Sequence, residues 1–229
     1  MKLFLFDIDG TLMRGAGVQH RAALVGGIQE VLGVETTVDG IPVHGMLDRD
    51  ILAQMMARVG VDESEVSAVL EAVMEAAQRI YPKTCLDLRS KVLPGVPEAL
   101  AEIHTLGYPM GLVTGNLSRI GWAKVESAGL QQFFSFGAFA EMGLTRTELM
   151  RLAVDQVGGE GKQVTHVGDA PSDVEAARAN GFRMVAVATG LTPASELERL
   201  GADVVLSDLS RPADRLRLIG GSASLLSPA

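Results

Sequence analysis

The sequence has few of the residues on which several common kinds of site depend. Cys85 is the only cysteine among 229 residues, which excludes an intrachain disulfide and any cysteine-rich zinc site. The four histidines are scattered, with no pair at the spacing of a helical zinc motif. Lysines and arginines form no cluster, and the formal net charge is −8, which argues against a nucleic-acid or anionic-membrane surface.

Long apolar runs are also missing. No segment approaches the ~18 apolar residues that a transmembrane helix needs. The apolar N-terminal stretch is too short for a signal peptide, because it runs directly into Asp7. We therefore expect a cytoplasmic protein that binds neither nucleic acid nor membrane.

The first apolar stretch carries two acids at its end. Residues 3–6 and Ile8 are apolar, and Asp7 and Asp9 alternate with them. A strand that is apolar on both faces is typical of the middle of a parallel sheet covered by helices. Ligands bind beyond the carboxyl ends of such strands, and two desolvated carboxylates there favour a hard cation such as Mg²⁺.

The remaining chain divides into two patterns. Beyond residue 92, short apolar segments alternate with helical periodicity, which predicts an α/β fold with a doubly wound parallel sheet. Residues 15–91 show only helical patterns, the third of which is predicted to end at Tyr81, before Pro82. We predict a core domain of residues 1–14 and 92–219, an inserted helical cap domain of residues 15–91, and a disordered tail of residues 220–229.

Polar side chains follow three of the predicted strands: Asp7 and Asp9, then Thr114 and Asn116, then Asp169 and Asp173. Parallel strands end at the same edge of a sheet, so these groups are expected to converge. Buried carboxylates without partners are costly, which favours a divalent cation and a phosphate with its own cationic partner. One carboxylate can then attack phosphorus while a second, two residues later, transfers protons.

These motifs resemble those of the haloacid dehalogenase superfamily, specifically its capped phosphatases. The match rests on Asp-x-Asp-Gly-Thr-Leu at 7–12, Val-Thr-Gly-Asn at 113–116 and Gly-Asp-x-x-x-Asp at 168–173. The resemblance implies a Rossmann-like core with a cap. It also implies Mg²⁺-dependent hydrolysis of a small phosphorylated metabolite through an aspartyl phosphate, in the manner of phosphoglycolate phosphatases. A monomer or a homodimer is expected.

The resemblance also implies roles for the matched residues. Asp7 is the expected nucleophile and Asp9 the expected general acid and base. Thr114, with Gly115 and Asn116 beside it, is expected to bind the phosphoryl group. The implied metal site consists of Asp7, the backbone carbonyl of Asp9, Asp169 and Asp173.

The third motif of the superfamily departs from its usual form. A lysine normally stands before the helix that precedes the fourth strand, but residues 141–149 contain none. Arg146 best fits its place, and it keeps the positive charge with a different geometry. In the cap, residues 44–49 resemble a substrate-selecting loop, so His44 and Arg49 are expected to contact the leaving group. Arg49 facing solvent is the alternative.

Three other functions share parts of this sequence pattern. A sugar phosphomutase of the β-phosphoglucomutase type remains an alternative, although residues 14–19 lack the Asp-Thr-x-x-x-His pattern of such enzymes. A 2-haloacid dehalogenase lacks the second acid of the first motif. Asp9 supplies that acid here, which argues against this function. A non-catalytic phospho-acceptor or binding protein remains open if Arg146 does not provide the missing charge, but a response-regulator receiver has no helical insert after its first strand.

Overall fold

The computed structural model describes residues 2–159 and 162–220. Over these ranges the chain forms a parallel sheet and a set of α-helices. The strands are β1 (Lys2–Phe6), β2 (Met110–Val113), β3 (Phe136–Ala138), β4 (Gln163–Gly168), β5 (Arg183–Val187) and β6 (Val204–Leu206). The helices are α1 (Gly17–Leu32), α2 (Asp48–Arg58), α3 (Glu63–Thr84), α4 (Val96–Thr105), α5 (Ser118–Ser127), α6 (Arg146–Asp155), α7 (Pro171–Ala179), α8 (Ala194–Leu200) and α9 (Pro212–Ile219).

Strand β1 lies near the middle of the sheet. The strand order is β3-β2-β1-β4-β5-β6 and every described pairing is parallel, with Phe6 opposite Leu112 on one side and Val167 on the other. The predicted α/β fold class is confirmed. The chain runs outward to β3 and then returns to the other side of β1, and a ligand crevice is expected where the strand order reverses in this way.

Both faces of β1 are buried, because helices cover each side of the sheet. Leu3 and Leu5 belong to one apolar cluster, which includes side chains of α6 and α7. Phe4 and Phe6 belong to a second cluster, which includes side chains of α4 and α9. Burial of each such side chain stabilises the fold by about 1.5–3 kcal/mol. The central position of β1 thus fixes where the acids that follow it must lie.

Residues 15–91, all of which the structure describes, contain three α-helices and no strand. Helices α1 and α3 approach closely at Gly27, where a Cβ atom would collide with the backbone of α3. Helix α3 continues through Pro82 to Thr84, so the predicted end at Tyr81 was wrong. Pro82 removes only one hydrogen bond in the last turn. The buried side chain of Tyr81 and a 2.8 Å bond from the Cys85 N–H to the Tyr81 carbonyl hold that turn.

The two chain segments that join the helical insert to the sheet run side by side. The Arg14 N–H donates to the Lys91 carbonyl at 2.9 Å, and Met13 forms an antiparallel bridge with Val92. These contacts support the predicted domain boundaries near residues 14 and 92, which we retain as a proposal. Within the predicted tail only Gly220 is described, as the residue that ends α9; residues 221–229 lie outside the described residues.

In residues 2–159 and 162–220, no helix is both long enough and apolar enough to cross a membrane.

Candidate active site

The polar ends of β1, β2 and β4 meet at one cleft between the sheet and the helical insert. Its volume is about 310 Å³. Eight of the predicted site residues line it: Asp7, Asp9, His44, Thr114, Gly115, Asn116, Arg146 and Asp169. Asp173 lies directly behind this lining and contacts Arg146. The expected convergence of the strand ends is therefore present in the structure.

Arg146 lies among the acids at the base of the cleft. It is the first residue of α6 and only 8% exposed. One terminal nitrogen donates to Asp7 Oδ1 and to the Val113 carbonyl, each at 3.2 Å, and Nε lies 3.5 Å from Asp173 Oδ1. Burial alone would lower the pKa of Arg146, but the neighbouring carboxylates of Asp173 and Asp7 raise it. The guanidinium thus keeps a positive charge among the acids, at the place where the sequence predicts a cation.

Three buried carboxylates offer the elements of a metal site. One oxygen from each of Asp7, Asp169 and Asp173 lies within 4.8 Å of the others. Burial and the neighbouring carboxylates raise the pKa of Asp7 and that of Asp169. Such crowding of acids is relieved by a cation, and an all-oxygen ligand set suits Mg²⁺.

The Asp169 side chain shows where such a cation fits. Its Oδ1 accepts a 3.1 Å hydrogen bond from the Thr11 hydroxyl, whereas its buried Oδ2 has no hydrogen-bond partner within the described residues. Gly10 and Gly190 pack directly on this carboxylate, and a Cβ atom at either position would collide with it. The site therefore leaves a carboxylate oxygen available and keeps side chains out of the space around it, as a metal ligand requires.

Asp173 is held more firmly than the other two acids. Its Oδ1 lies 3.1 Å from His166 Nε2, and its Oδ2 accepts from the Ala170 N–H at 3.1 Å. Burial would raise the pKa of Asp173, but Arg146 and His166 together lower it to about 2. Both oxygens of Asp173 thus have partners within the protein. This arrangement suits a residue that holds Arg146 and the metal-binding carboxylates in place.

The residues after β2 provide hydrogen bonds at the opposite wall. Thr114 Oγ1 accepts from Asn116 Nδ2 at 2.7 Å, so the Thr114 hydroxyl hydrogen can be donated elsewhere. Gly115 lies where a Cβ atom would collide with the Met46 carbonyl of the helical insert. A glycine at this position therefore allows the insert to close against the cleft.

The sequence reasoning missed Lys124, on α5. Its side chain is completely buried, and Nζ donates to Asp9 Oδ2 at 2.5 Å. Burial would raise the pKa of Asp9, but the Lys124 ammonium lowers it, with further help from a hydrogen bond that Asn116 donates. The signal in the sequence is that Lys124 lies one turn after Ile120 and one turn before Ala128, both of which are apolar. A lysine on such a face needs a buried partner.

The Asp9 carboxylate consequently lies apart from the three-acid cluster. The expected contribution of Asp9 to the metal site came from its backbone carbonyl, and that expectation remains a prediction. His44, on the insert, lies 2.9 Å from the Thr192 hydroxyl and 3.9 Å from Asp169 Oδ2. Burial lowers its pKa.

Arg49 is the one predicted substrate contact that the structure does not bring to the cleft lining. Its guanidinium donates to the Gly143 carbonyl at 3.3 Å and lies 3.9 Å from the Asp50 carboxylate. Arg49 thus joins the helical insert to the loop before α6. The sequence pattern could not indicate the direction of its side chain, and a role of residues 44–49 in selecting the substrate remains a prediction.

Comparison with known proteins gives matches over nearly the whole chain. A phosphoglycolate phosphatase of Pseudomonas syringae is 27% identical over 249 aligned positions, which cover 95% of this chain and 88% of the relative. That of Caulobacter vibrioides is 27% identical over 214 positions, covering 88% and 84%. A crystal structure of β-phosphoglucomutase from Clostridium difficile has a TM-score of 0.69 at 15% identity, covering 95% of this chain and 98% of that chain.

The structural match shows a shared fold. The family model for haloacid dehalogenase-like hydrolases matches residues 1–181 and so spans all three sequence motifs. The chain therefore belongs to the haloacid dehalogenase-like hydrolase family.

Proposed function

We propose that the protein is a phosphatase that hydrolyses a small phosphomonoester through a phosphorylated Asp7. The observation that carries the proposal is the position of Arg146, buried against Asp7 at the cleft base. A cation there can stabilise the charge on a phosphoryl group as it reaches the nucleophile. The relatives named phosphoglycolate phosphatase support the same reaction class.

The reaction has two displacements. The Asp7 carboxylate attacks phosphorus, so that a bond from its oxygen to phosphorus forms while the ester oxygen–phosphorus bond breaks. Asp9 gives a proton to the leaving oxygen, which departs as an alcohol. Asp9 then takes a proton from the water that attacks phosphorus, and inorganic phosphate leaves with Asp7 restored. During both steps Thr114 and Arg146 donate hydrogen bonds to the phosphoryl oxygens.

Asp7 and Asp169 are the residues we propose to hold Mg²⁺, with Asp173 supporting them from behind. The ion supplies positive charge that offsets repulsion between the nucleophile and the anionic substrate. The unpartnered Asp169 Oδ2 is the main support for this assignment. The Thr11 hydroxyl holds the other oxygen of the same carboxylate and so orients it.

For the substrate, we propose a small molecule with a second anionic group, such as phosphoglycolate. Arg14 and Arg21 line the cleft and are exposed to solvent. Arg14 donates to the Gly190 carbonyl at 3.2 Å, and within residues 2–159 and 162–220 neither arginine forms an ion pair with a carboxylate. Both guanidinium groups are thus available to a carboxylate on the substrate.

The phosphomutase alternative shares the fold and the early phosphoenzyme step. It differs in the fate of the phosphoryl group, which a mutase returns to a sugar rather than to water. Two arginines at the cleft suit the second phosphate of a sugar bisphosphate as well as a carboxylate, so they do not distinguish the two reactions. The relatives named phosphoglycolate phosphatase, and residues 14–19, which lack the mutase-like pattern, favour the phosphatase. Formation of an isomeric sugar phosphate without release of inorganic phosphate would support the mutase instead.

The test of the proposed function is release of inorganic phosphate from p-nitrophenyl phosphate and phosphoglycolate in the presence of Mg²⁺. We expect the wild type to turn over both and Asp7→Asn to lose at least about a thousandfold in kcat, because the amide is not a nucleophile. Circular dichroism would establish that the variant is folded. Asp7→Asn with wild-type turnover would overturn the assignment.

Metal binding is tested separately from turnover by thermal unfolding. Saturating Mg²⁺ is expected to raise the Tm of the wild type by several degrees, since a ligand at 100 times its Kd stabilises by about 2.7 kcal/mol. Asp169→Asn should show little rise. Asp155→Asn, at an exposed position at the end of α6, is the matched control and should behave like the wild type. An equal rise in all three proteins would remove Asp169 from the site.

Substrate charge is tested with Arg21→Gln. Loss of one charge-assisted hydrogen bond is expected to raise the KM for phosphoglycolate about tenfold. The KM for ethyl phosphate, which has no carboxylate, should hardly change. Arg199→Gln, on the exposed surface of α8, is the matched control. Equal changes for both substrates would refute a selective contact with the carboxylate.

A further inference from the structure

Lys124 is the only lysine that the structure describes as completely buried, and its ammonium group meets three acceptors. These are Asp9 Oδ2 at 2.5 Å, Asn116 Oδ1 at 2.6 Å and His20 Nδ1 at 3.1 Å. An ammonium has three N–H donors, so each donor has one acceptor. Such complete pairing is what makes a buried lysine tolerable.

These contacts hold the Asp9 carboxylate in one orientation. Its Oδ2 accepts from Lys124 and also from Asn116 Nδ2, at 2.8 Å. The side chain is nonetheless 41% exposed and lines the cleft. One oxygen of Asp9 is thus fixed from behind, while the other can face a substrate.

The same lysine connects Asp9 to the helical insert. Because an ammonium can only donate, His20 Nδ1 must accept, and the hydrogen of the neutral ring lies on Nε2. Nε2 is 2.8 Å from Asp48 Oδ2, which also accepts the Leu117 N–H at 2.9 Å. His20 and Asp48 belong to α1 and α2, whereas Leu117 precedes α5 of the core. The chain of contacts therefore joins the two parts of the molecule.

We propose that Lys124 is a positioning residue that holds Asp9 in line for proton transfer, with His20 and Asp48 completing the arrangement when the helical insert is closed. This proposal rests on the proposed phosphatase function, in which Asp9 protonates the leaving oxygen. Lys124 does not itself contact the substrate. It acts by fixing the Asp9 carboxyl at the correct distance and angle, on which efficient proton transfer depends. Its charge also lowers the Asp9 pKa and so reduces the protonated fraction, which means that the benefit we assign to Lys124 is one of position.

The consequence is a dependence on the leaving group. An alkyl phosphate releases a basic alkoxide, which needs a well-placed acid. p-Nitrophenolate is a stable anion and needs far less protonation. A misplaced Asp9 should therefore harm alkyl phosphates selectively, whereas general damage to the structure should harm both substrates alike.

The experiment compares kcat/KM for ethyl phosphate and p-nitrophenyl phosphate, since this ratio reports the first displacement. Lys124→Met is expected to lower the value for ethyl phosphate about 100-fold and that for p-nitrophenyl phosphate less than about tenfold. His20→Phe, which removes only the contact from the insert, should show the same selectivity with a smaller loss. Lys83→Met, at an exposed position on α3, is the matched control and should leave both values unchanged.

Equal losses for the two substrates in Lys124→Met, or no loss for either, would overturn the proposal. Circular dichroism reports whether the variant is folded, independently of its turnover. If Lys124→Met does not fold, kcat/KM for the same two substrates is compared in Lys124→Gln, which keeps a hydrogen-bond donor. Failure of the phosphatase function is recognised separately, because the wild type itself would then release no phosphate from either ester.

Discussion

The pairing of the Arg146 guanidinium with Asp7 and Asp173 is the interaction on which the cleft depends. At neutral pH the three clustered acids and one arginine leave a formal excess of two negative charges when all are ionised. Burial, together with that excess, raises the pKa of Asp7 and that of Asp169, and the excess matches the charge of one divalent cation. Without Arg146, the repulsion among the buried carboxylates would be stronger. Enclosing a phosphoryl dianion in the same site would then cost still more free energy.

A second charge pair, between Lys124 and Asp9, separates the two aspartates of the first motif. Asp7 faces the arginine and the other acids, whereas the Asp9 carboxylate turns towards α5. Two neighbouring carboxylates thereby obtain different surroundings, and different surroundings allow different chemical tasks. The helical insert takes part in this division, since His20 reaches the same lysine from α1.

Much of this arrangement follows from the sequence, for identifiable reasons. The apolar run before Asp7 predicts a strand, and the motifs at Thr114 and Asp169 each follow another strand. Parallel strands bring their carboxyl ends together at one edge of the sheet. The place of Arg146 among the acids could be predicted, because the resemblance implies a positive charge between β3 and α6. Lys124 and the direction of Arg49 could not be predicted, because both depend on how the insert and helices pack. Local sequence carries little information on contacts between residues more than 90 positions apart, such as Lys124 with Asp9.

We propose that Arg146 supplies the positive charge that phosphoryl transfer to Asp7 needs. The most direct measurement is kcat/KM for p-nitrophenyl phosphate in Arg146→Lys and Arg146→Met, with urea unfolding to establish that each is folded. Lysine keeps the charge without the fork of donors, so we expect a partial loss of about tenfold, against at least about 100-fold for methionine. A folded Arg146→Met protein with wild-type kcat/KM would contradict the account.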